Sequence, residues 1–320
     1  MTRTSQQECR GILESIRLMT KKDFSITILS IRVGMIVKEK SFTYKSRLKT
    51  DLVRIFRIEH ASTGKGRFKM IYITGDCHSN FERFNTRNFP EQKEMTKDDY
   101  VIICGDFGGV WNKDGESKME MSALDWLDGK SFTTLFVDGN HENFDRLYAY
   151  PVEMWHGGKA HKIRPSVIHL MRGQIFELEE KKIFTFGGAS SHDILAGILE
   201  PDDPKFKLKK KVLDRGWEPY RINHISWWKE ELPSEEEKQE GLKNLQKYHN
   251  EVDFIVTHCC ASSTQAIMSD GLYKPDMLTE YFEKIRQTAI FKKWFFGHYH
   301  DNRNITKDEL LLWEQIIRIS

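Results

Sequence analysis

The feature that most constrains the fold is a series of continuous apolar runs, each ending abruptly in a polar turn that contains glycine. The runs at 71–74, 100–104 and 132–137 lead into Gly75-Asp76, Gly105-Asp106 and Gly139-Asn140. Continuous apolar runs are typical of strands covered on both faces. Helices predicted at Asn80 to Asn88 and Ser117 to Leu127 separate these strands, and the alternation indicates βαβ units. Functional side chains of such units lie at the carboxyl ends of the strands, so we expect the turns to share one edge of a sheet.

The chain changes character from residue 167 onward. Three closely spaced apolar runs predict a β-meander at 167–171, 175–178 and 183–186. A helix should begin after Ser234, which can cap its first turn while Glu237 occupies the capping-box position, and run to about His249. Further strands are predicted at 253–256, 294–296 and 310–319. Because no internal repeat or low-complexity linker is found, we predict one α/β domain from Met70 to the end.

Composition favours a folded protein in a reducing compartment. The 320 residues are 39% hydrophobic and 12% aromatic, which is typical of a globular chain. No apolar run reaches the roughly 18 residues needed to cross a bilayer, and the best early candidate, Ile26 to Val37, is broken by Arg32. Five cysteines, two of them adjacent, do not resemble a disulfide framework. We therefore predict a cytoplasmic location and no membrane partner.

The first 69 residues are strongly basic, with 16 Lys and Arg against 6 Asp and Glu, a net charge of +10; the remainder has a net charge of −8. One interpretation is an electrostatic tether to nucleic acid or anionic lipid. The favoured hypothesis is that Met70 is the natural start, because a buried strand begins there abruptly. Gly64-Lys65-Gly66-Arg67 can also be encoded by a purine-rich run placed like a ribosome-binding site. We expect 1–69 to be an extension that is disordered or not natively translated.

Asp, Asn and His residues recur in short turns along the rest of the chain. They are Asp76, His78, Asp106, Asn140, His141, His258, His298 and His300. Carboxylate with imidazole suits Mn, Fe, Zn or Co ions, whereas the absence of a thiolate pair disfavours a structural zinc site. Two divalent ions about 3.5–4 Å apart activate water and neutralise the charge that develops in phosphoester hydrolysis. Asp106 is the natural residue to bridge them.

In their order, the motifs D-x-H, G-D, G-N-H-E, H and G-H-x-H, from Asp76 to His300, resemble the calcineurin-like metallophosphoesterases. The resemblance implies an α/β fold in which a two-sheet sandwich is flanked by helices in αββα layers. It implies two divalent ions, with Mn²⁺ favoured and Fe, Zn, Co or Ni as alternatives. One ion would be held by Asp76, His78, Asp106 and His300. The other would be held by Asp106, Asn140, His258 and His298. His141 would act as general acid or phosphate contact beside a bridging hydroxide nucleophile.

Two departures from the family pattern bear on the activity. Ser79 stands where many members have Gly, which should be tolerated because Ser79 is not a ligand. Gly105-Asp106 is followed by Phe107-Gly108 and lacks the Asp-Arg-Gly of Ser/Thr protein phosphatases, which weakens that interpretation. The favoured function is a phosphatase. The alternatives are a phosphodiesterase or nuclease and, from another class, a non-catalytic scaffold.

The substrate is less constrained than the metals. The stretch at about 143–252 is expected to be a specificity insert. Candidate substrate contacts are Asn140, Arg172 and His192, although for Arg172 a solvated turn residue is the slightly favoured explanation. A phosphorylated small molecule, a nucleotide or a phosphopeptide is the expected partner, while nucleic acid is not favoured. Cys77 and Cys104 adjoin the predicted ligands, and we interpret both as packing residues.

Overall fold

The computed structural model describes residues 69–320, so the predictions for the preceding basic segment lie outside the described residues. The described chain forms two large β-sheets. The first sheet has seven strands in the order β15-β1-β2-β3-β6-β5-β4. Its strands are β1 Ile71–Thr74, β2 Tyr100–Ile103, β3 Thr133–Phe136, β4 Val152–Trp155, β5 Gly158–Arg164, β6 Val167–Leu170 and β15 Ile317–Arg318. The pairings β1-β2, β2-β3 and β3-β6 are parallel, as the continuous apolar runs predicted.

The second sheet has six strands in the order β13-β14-β12-β11-β8-β7. Its strands are β7 Gln174–Leu178, β8 Lys181–Phe186, β11 Phe254–Thr257, β12 Lys293–Phe296, β13 Arg303–Asn304 and β14 Glu309–Leu311. Strand β11 is parallel to both β8 and β12, so its C-terminal end lies beside that of β12. A small parallel pair, β9 Ile198–Leu199 and β10 Arg221–Ile222, lies outside both sheets.

Six α-helices are assigned among the described residues: α1 Lys118–Asp128, α2 Phe144–Leu147, α3 Phe206–Leu213, α4 Glu235–Lys247, α5 Ser262–Ser269 and α6 Met277–Thr288. Helix α4 begins as predicted, because Ser234 accepts from the Glu237 N–H while Glu237 reciprocates as a capping box. Helix α1 begins in the same way after Ser117. No helix in this part of the chain is long and apolar enough to cross a membrane.

The hydrophobic core has an inner layer and two outer layers. Along β1, Ile71 and Ile73 join an inner cluster that includes Phe254 and Phe295 of the second sheet, while Tyr72 joins the cluster on the opposite face. Helix α1 contributes Leu124 and Leu127 to that opposite cluster. On the far side of the second sheet, α6 packs Phe282 and Ile285 against the strands. Two sheets face each other between helical layers, which confirms the predicted αββα arrangement.

Three local predictions are wrong. The segment 80–88 forms only a 3₁₀ turn at Glu82–Phe84, because its asparagines favour turns over helix and Phe84 already reaches the core. The predicted meander at 167–186 is divided between the sheets, since β6 pairs with β3 and β5 while β7 pairs with β8. The predicted final strand at 310–319 is likewise broken, with β14 in the second sheet and β15 in the first. An apolar run indicates that a strand is buried, but it does not indicate which sheet the strand joins.

The predicted insert at about 143–252 contributes to both sheets, since it contains β4 to β6 of the first and β7 and β8 of the second. Its segments outside the two sheets, including 187–234, carry the loop that approaches the ligand residues described next.

Candidate metal centre

The predicted ligands stand directly after strands, at the edge where the two sheets meet. Asp76, Asp106 and Asn140 follow β1, β2 and β3 of the first sheet. His258 follows β11, and His298 and His300 follow β12, in the second sheet. Hydrogen bonds join the two sets, since the His298 N–H donates to both carboxylate oxygens of Asp76 at 3.0 Å. The site is therefore assembled across the sandwich rather than within one sheet.

The first ligand group consists of Asp76, His78 and His300, whose ligand atoms all lie within 4.8 Å of one another. Nε2 of His300 is 3.2 Å from Oδ2 of Asp76 and 3.0 Å from Nε2 of His78. Asp76 is buried, whereas the two histidines are partly open to solvent. Two imidazole nitrogens converging on one carboxylate form a donor set that fits a divalent transition metal.

The second ligand group consists of Asp106, His258 and His298, again within 4.8 Å. Nδ1 of His258 lies 2.8 Å from the Cys104 carbonyl. Because that carbonyl can only accept, Nδ1 carries the proton and the neutral ring leaves Nε2 free to bind a metal ion. This Nε2 lies 3.3 Å from both Asp106 Oδ1 and Asn140 Oδ1, so the predicted amide ligand joins the second group.

Asp106 faces both groups. Its Oδ1 lies 3.3 Å from Nε2 of His258, while its Oδ2 lies 3.5 Å from Nε2 of His78. Oδ1 also accepts the backbone N–H of His141 at 2.8 Å, which fixes the orientation of the carboxylate. One carboxylate with an oxygen toward each ligand group has the geometry that a bridging ligand needs.

The pKa values of the side chains at the site reflect how closely these groups are packed. Burial alone would raise the pKa of Asp106, but the surrounding imidazoles, His258 foremost, hold it well below its ordinary value. Burial lowers the pKa of His258, but the Asp106 carboxylate outweighs that effect and raises it to about 9. Burial, reinforced by His258, holds the pKa of His298 well below its ordinary range. His298 is therefore neutral, as a metal ligand must be, while His258 has a proton to lose.

Glycines between the motifs allow this close packing. A Cβ at Gly139 would stand 2.0 Å from Asp106 Oδ1, and one at Gly297 would stand 2.0 Å from Asp76 Oδ1. A Cβ at Gly105 would stand 2.2 Å from Nδ1 of His258. Each glycine thus makes room for a ligand that comes from a different motif.

Backbone conformation is also unusual at the ligands themselves. His78, Asp106, His298 and His300 all have positive φ, between 42° and 71°. Residues with side chains adopt this left-handed region rarely, and such strain concentrates at functional sites. The pattern is invisible in the sequence, because these four residues are not glycine.

His141 lies at the same site. Its ring centroid is 5.0 Å from that of His78 and 6.0 Å from that of Trp111. It has a nitrogen within 4.8 Å of ligand atoms of His78 and Asp106, so the geometry accommodates either a third imidazole ligand or a proton donor. Burial lowers its pKa.

Sequence reasoning missed the residues that support the ligands. Nδ2 of Asn140 is 3.3 Å from Oγ of Ser191, and Ser191 donates its hydroxyl to Glu231 Oε2 at 2.6 Å and its N–H to Oε1 at 3.0 Å. Glu231 is 2% exposed. Because Ser191 gives its hydroxyl proton to Glu231, its oxygen accepts from Asn140, which directs Asn140 Oδ1 toward His258. The only sequence signal was the Gly187 to Asp193 turn that contains Ser191.

Arg83 supports the first group from outside it. Its guanidinium donates to the backbone oxygens of Asp76 at 2.6 Å and Trp313 at 2.5 Å. It thereby ties the turn after β1 to the crossing between β14 and β15. No sequence pattern marked Arg83.

The predicted substrate contacts have different surroundings. His192 is exposed and its ring lies 6.3 Å from that of His298, beside the second group. Arg172 is 4% exposed, and its Nε and Nη2 donate to Asp138 Oδ2 at 2.8 and 2.5 Å. The interpretation of Arg172 as a solvated turn residue is therefore wrong. Its burial and pairing also argue against the predicted phosphate contact, since gripping a phosphate would leave Asp138 buried without its counter-charge.

Cys77 and Cys104 are buried and free, and burial raises the pKa of the Cys77 thiol to about 12. Cys77 belongs to one core cluster and Cys104 to the inner cluster between the sheets, which confirms the interpretation of both as packing residues.

Comparison with known proteins agrees with the geometry. The chain is 25% identical over 170 residues to lariat debranching enzyme A of Xenopus laevis, covering 48% of this chain and 30% of that protein. It is 24% identical over 144 residues to the lariat debranching enzyme of Danio rerio, covering 41% of this chain and 24% of that protein. The matches thus span less than a third of either relative. The calcineurin-like phosphoesterase family model matches residues 69–302. The chain therefore belongs to the calcineurin-like phosphoesterase family, as the order of its motifs predicted.

Proposed function

We propose that the chain hydrolyses a phosphodiester at a site that holds two divalent metal ions. The observation that carries the proposal is Asp106, which directs one carboxylate oxygen toward His258 and the other toward His78. When bound, two such ions supply charge neutralisation at the phosphate and activation of water. Mn²⁺ remains the favoured ion, because mixed imidazole and carboxylate ligands suit it without excluding Fe, Zn, Co or Ni.

The residues would divide as follows. Asp76, His78, Asp106 and His300 would hold one ion. Asp106, Asn140, His258 and His298 would hold the other. His141 would donate a proton to the leaving oxygen, since its ring faces the site beside His78 while its N–H restrains Asp106.

The side-chain charges around the site suit a phosphodiester better than the phosphomonoester that was predicted from the sequence. A phosphomonoester is a dianion, so its hydrolysis benefits from cationic side chains beyond the metals. Three arginines of the segments that build the site are already engaged, which leaves Lys274 as the cation that lines the adjoining cavity. Arg83 binds backbone carbonyls, Arg172 pairs with Asp138, and Arg221 pairs with Asp193. A diester carries one negative charge and therefore needs fewer cationic side chains. This substrate class also agrees with the debranching activity in the names of both relatives.

The test compares a bis-aryl diester with the matching aryl monoester. The protein is stripped with a chelator, reloaded with Mn²⁺ and assayed with bis(p-nitrophenyl) phosphate and p-nitrophenyl phosphate. We expect metal-dependent cleavage with the higher kcat/KM on the diester. Preference for the monoester would restore the phosphatase interpretation, and full activity after chelation would contradict the two-metal proposal.

Two variants assign the roles. Asp106→Ala should abolish cleavage and lower metal content, because it removes a ligand from both ions. His141→Ala should lower kcat while metal content stays at the wild-type level, and loss of metal in this variant would reassign His141 as a ligand. Asp114→Ala, which removes an exposed carboxylate from a turn, is the matched control and should retain wild-type activity.

A further inference from the structure

A cavity of about 830 Å³ adjoins the metal centre. Two of the predicted ligands, His298 and His300, form one wall. The loop between α5 and α6 contributes Leu272, Tyr273 and Lys274, and the segment after β8 contributes Ala189 to His192 and Leu195. A group lying in this cavity would touch residues of the metal centre, so its natural occupant is part of the substrate.

An aromatic platform lines the cavity. The Tyr273 ring stacks on Tyr299, with centroids 5.8 Å apart and planes inclined by 16°. The Tyr299 ring in turn meets the His298 ring edge-on at 4.8 Å. Tyr273 remains 51% exposed despite the stack, so much of this ring is open to a ligand. The three rings run in a continuous series from a metal ligand to the outer part of the cavity.

The cavity also contains a buried polar group that lacks one partner. Gln265 lines the cavity and is 8% exposed. Its Nε2 donates to the Tyr299 hydroxyl at 3.3 Å. Among the described residues no group donates to its Oε1. A buried carbonyl oxygen without a donor is unfavourable, and most such groups in folded proteins are paired. The oxygen itself has almost no exposed surface, so a donor in the cavity reaches it only after the Gln265 amide turns toward the cavity.

The rim of the cavity is apolar. Leu195 is 76% exposed and Leu272 is 82% exposed, and both line the cavity. Exposed leucines beside a cleft are typical of sites that cover part of an organic ligand. His192, a predicted substrate contact, also lines this cavity, whereas Arg172 does not.

We propose that this cavity binds a nucleobase, so that the substrate is a phosphodiester with a nucleoside on one side of the phosphate. A planar ring suits the exposed face of Tyr273, and stacking on an aromatic side chain is a general way of holding a base. An exocyclic amino group, as in adenine or cytosine, supplies the N–H donor that Gln265 Oε1 lacks once the amide turns toward the base. The contact with His298 and His300 puts the base close to the reacting phosphate. The inference rests on the proposed phosphodiesterase function.

The test uses pairs of substrates with the same leaving group. The p-nitrophenyl ester of adenosine 5′-monophosphate is compared with p-nitrophenyl methyl phosphate, which has no base. Tyr273→Ala should lower kcat/KM for the adenosine ester roughly 5- to 150-fold, the range expected for one stacked base. It should leave the methyl ester unchanged. Tyr273→Phe, which keeps the ring, should behave as wild type, and Trp217→Ala, at a fully exposed aromatic outside the cavity, is the matched control.

The amide is tested by removing the amino group from the ligand. Wild-type protein should prefer the adenosine ester over the purine riboside ester, which lacks that group, by about 5- to 10-fold. Gln265→Leu should abolish this preference while purine riboside ester turnover remains measurable.

The possible failures are distinct. If neither the adenosine ester nor the methyl ester is cleaved with Mn²⁺, the proposed function fails. If both are cleaved but Tyr273→Ala affects them equally or not at all, the nucleobase site alone is overturned. If Tyr273→Ala lowers kcat/KM for the adenosine ester but wild-type protein does not prefer that ester over the purine riboside ester, the assignment of Gln265 as the amino-group contact is overturned.

Discussion

Replacing Gly139 with alanine should disable the site through steric contact alone. The backbone of Gly139 lies outside the positive-φ region, so alanine meets no conformational obstacle there. Its Cβ, however, would stand 2.0 Å from Asp106 Oδ1 and 2.4 Å from the Asp106 nitrogen. Side-chain carbons keep at least about 3.0 Å from such atoms, so the carboxylate oxygen must move by about 1 Å.

That displacement is large for a metal ligand. Ligand distances hold to within about 0.2 Å, and a 1 Å misplacement in an active site costs about 100-fold in rate. We therefore expect kcat/KM to fall at least about 100-fold, equivalent to about 3 kcal/mol of transition-state stabilisation. Overpacking should also lower the free energy of unfolding by about 1–3 kcal/mol.

The assay measures three quantities on Mn²⁺-loaded protein: kcat/KM for bis(p-nitrophenyl) phosphate, metal content by mass spectrometry, and the free energy of unfolding in urea. Gly129→Ala is the matched control, because Gly129 has φ −75° and its Cβ would meet nothing nearer than 3.4 Å. The control should retain wild-type activity and metal content.

Two results would refute this reasoning. If Gly139→Ala keeps two metals per chain and wild-type kcat/KM, the carboxylate does not need the space that Gly139 leaves. If activity falls only in proportion to the unfolded fraction, the substitution acts through stability and not through the position of Asp106.

Three further outcomes follow from the same geometry. Ser191→Ala should weaken Mn²⁺ binding about 10- to 100-fold, because Asn140 loses the acceptor that orients its amide. Ser191→Thr keeps the hydroxyl and should preserve the affinity. Unchanged affinity in a Mn²⁺ titration of Ser191→Ala would contradict the orienting role of Ser191. Burial opposes ionisation of Asp138, but the Arg172 guanidinium outweighs burial and lowers the pKa of Asp138 from 3.8 to about 2. Ionised Asp138 should therefore add about 2 kcal/mol to the free energy of unfolding above pH 4, and this contribution should be lost as the pH falls toward 2. Urea unfolding of wild type and Asp138→Asn checks this, since equal pH slopes would exclude it. Metal binding near neutral pH should release a proton from His258, whose pKa is raised to about 9 before the metal binds. Calorimetry in buffers of different ionisation enthalpy measures the number of protons released. If no proton is released, His258 is already neutral when it binds the metal.

The parallel core and the ligand turns were predictable because both depend on local signals. The apolar runs at 71–74 and 100–104 became adjacent parallel strands, and the side chains that follow them met at one edge. The Ser234 capping box acted within a few residues, so it too was visible in the sequence. The asparagine-rich segment 80–88 was misjudged because its helical spacing competed with turn preferences that prevailed.

The sequence by itself determined the family and the candidate ligands, since the ligand types, their order and the turns that hold them are encoded within short segments. Only the tertiary structure decided which residues support that chemistry. Glu231 and Ser191 orient Asn140 from positions 91 and 51 residues away along the chain, and Arg172 lies buried against Asp138 instead of facing solvent. The aromatic cavity likewise joins the α5–α6 loop to the turn after β12. Contacts between such distant segments depend on how the two sheets pack, and apolar patterning records only that a residue is buried, not against what.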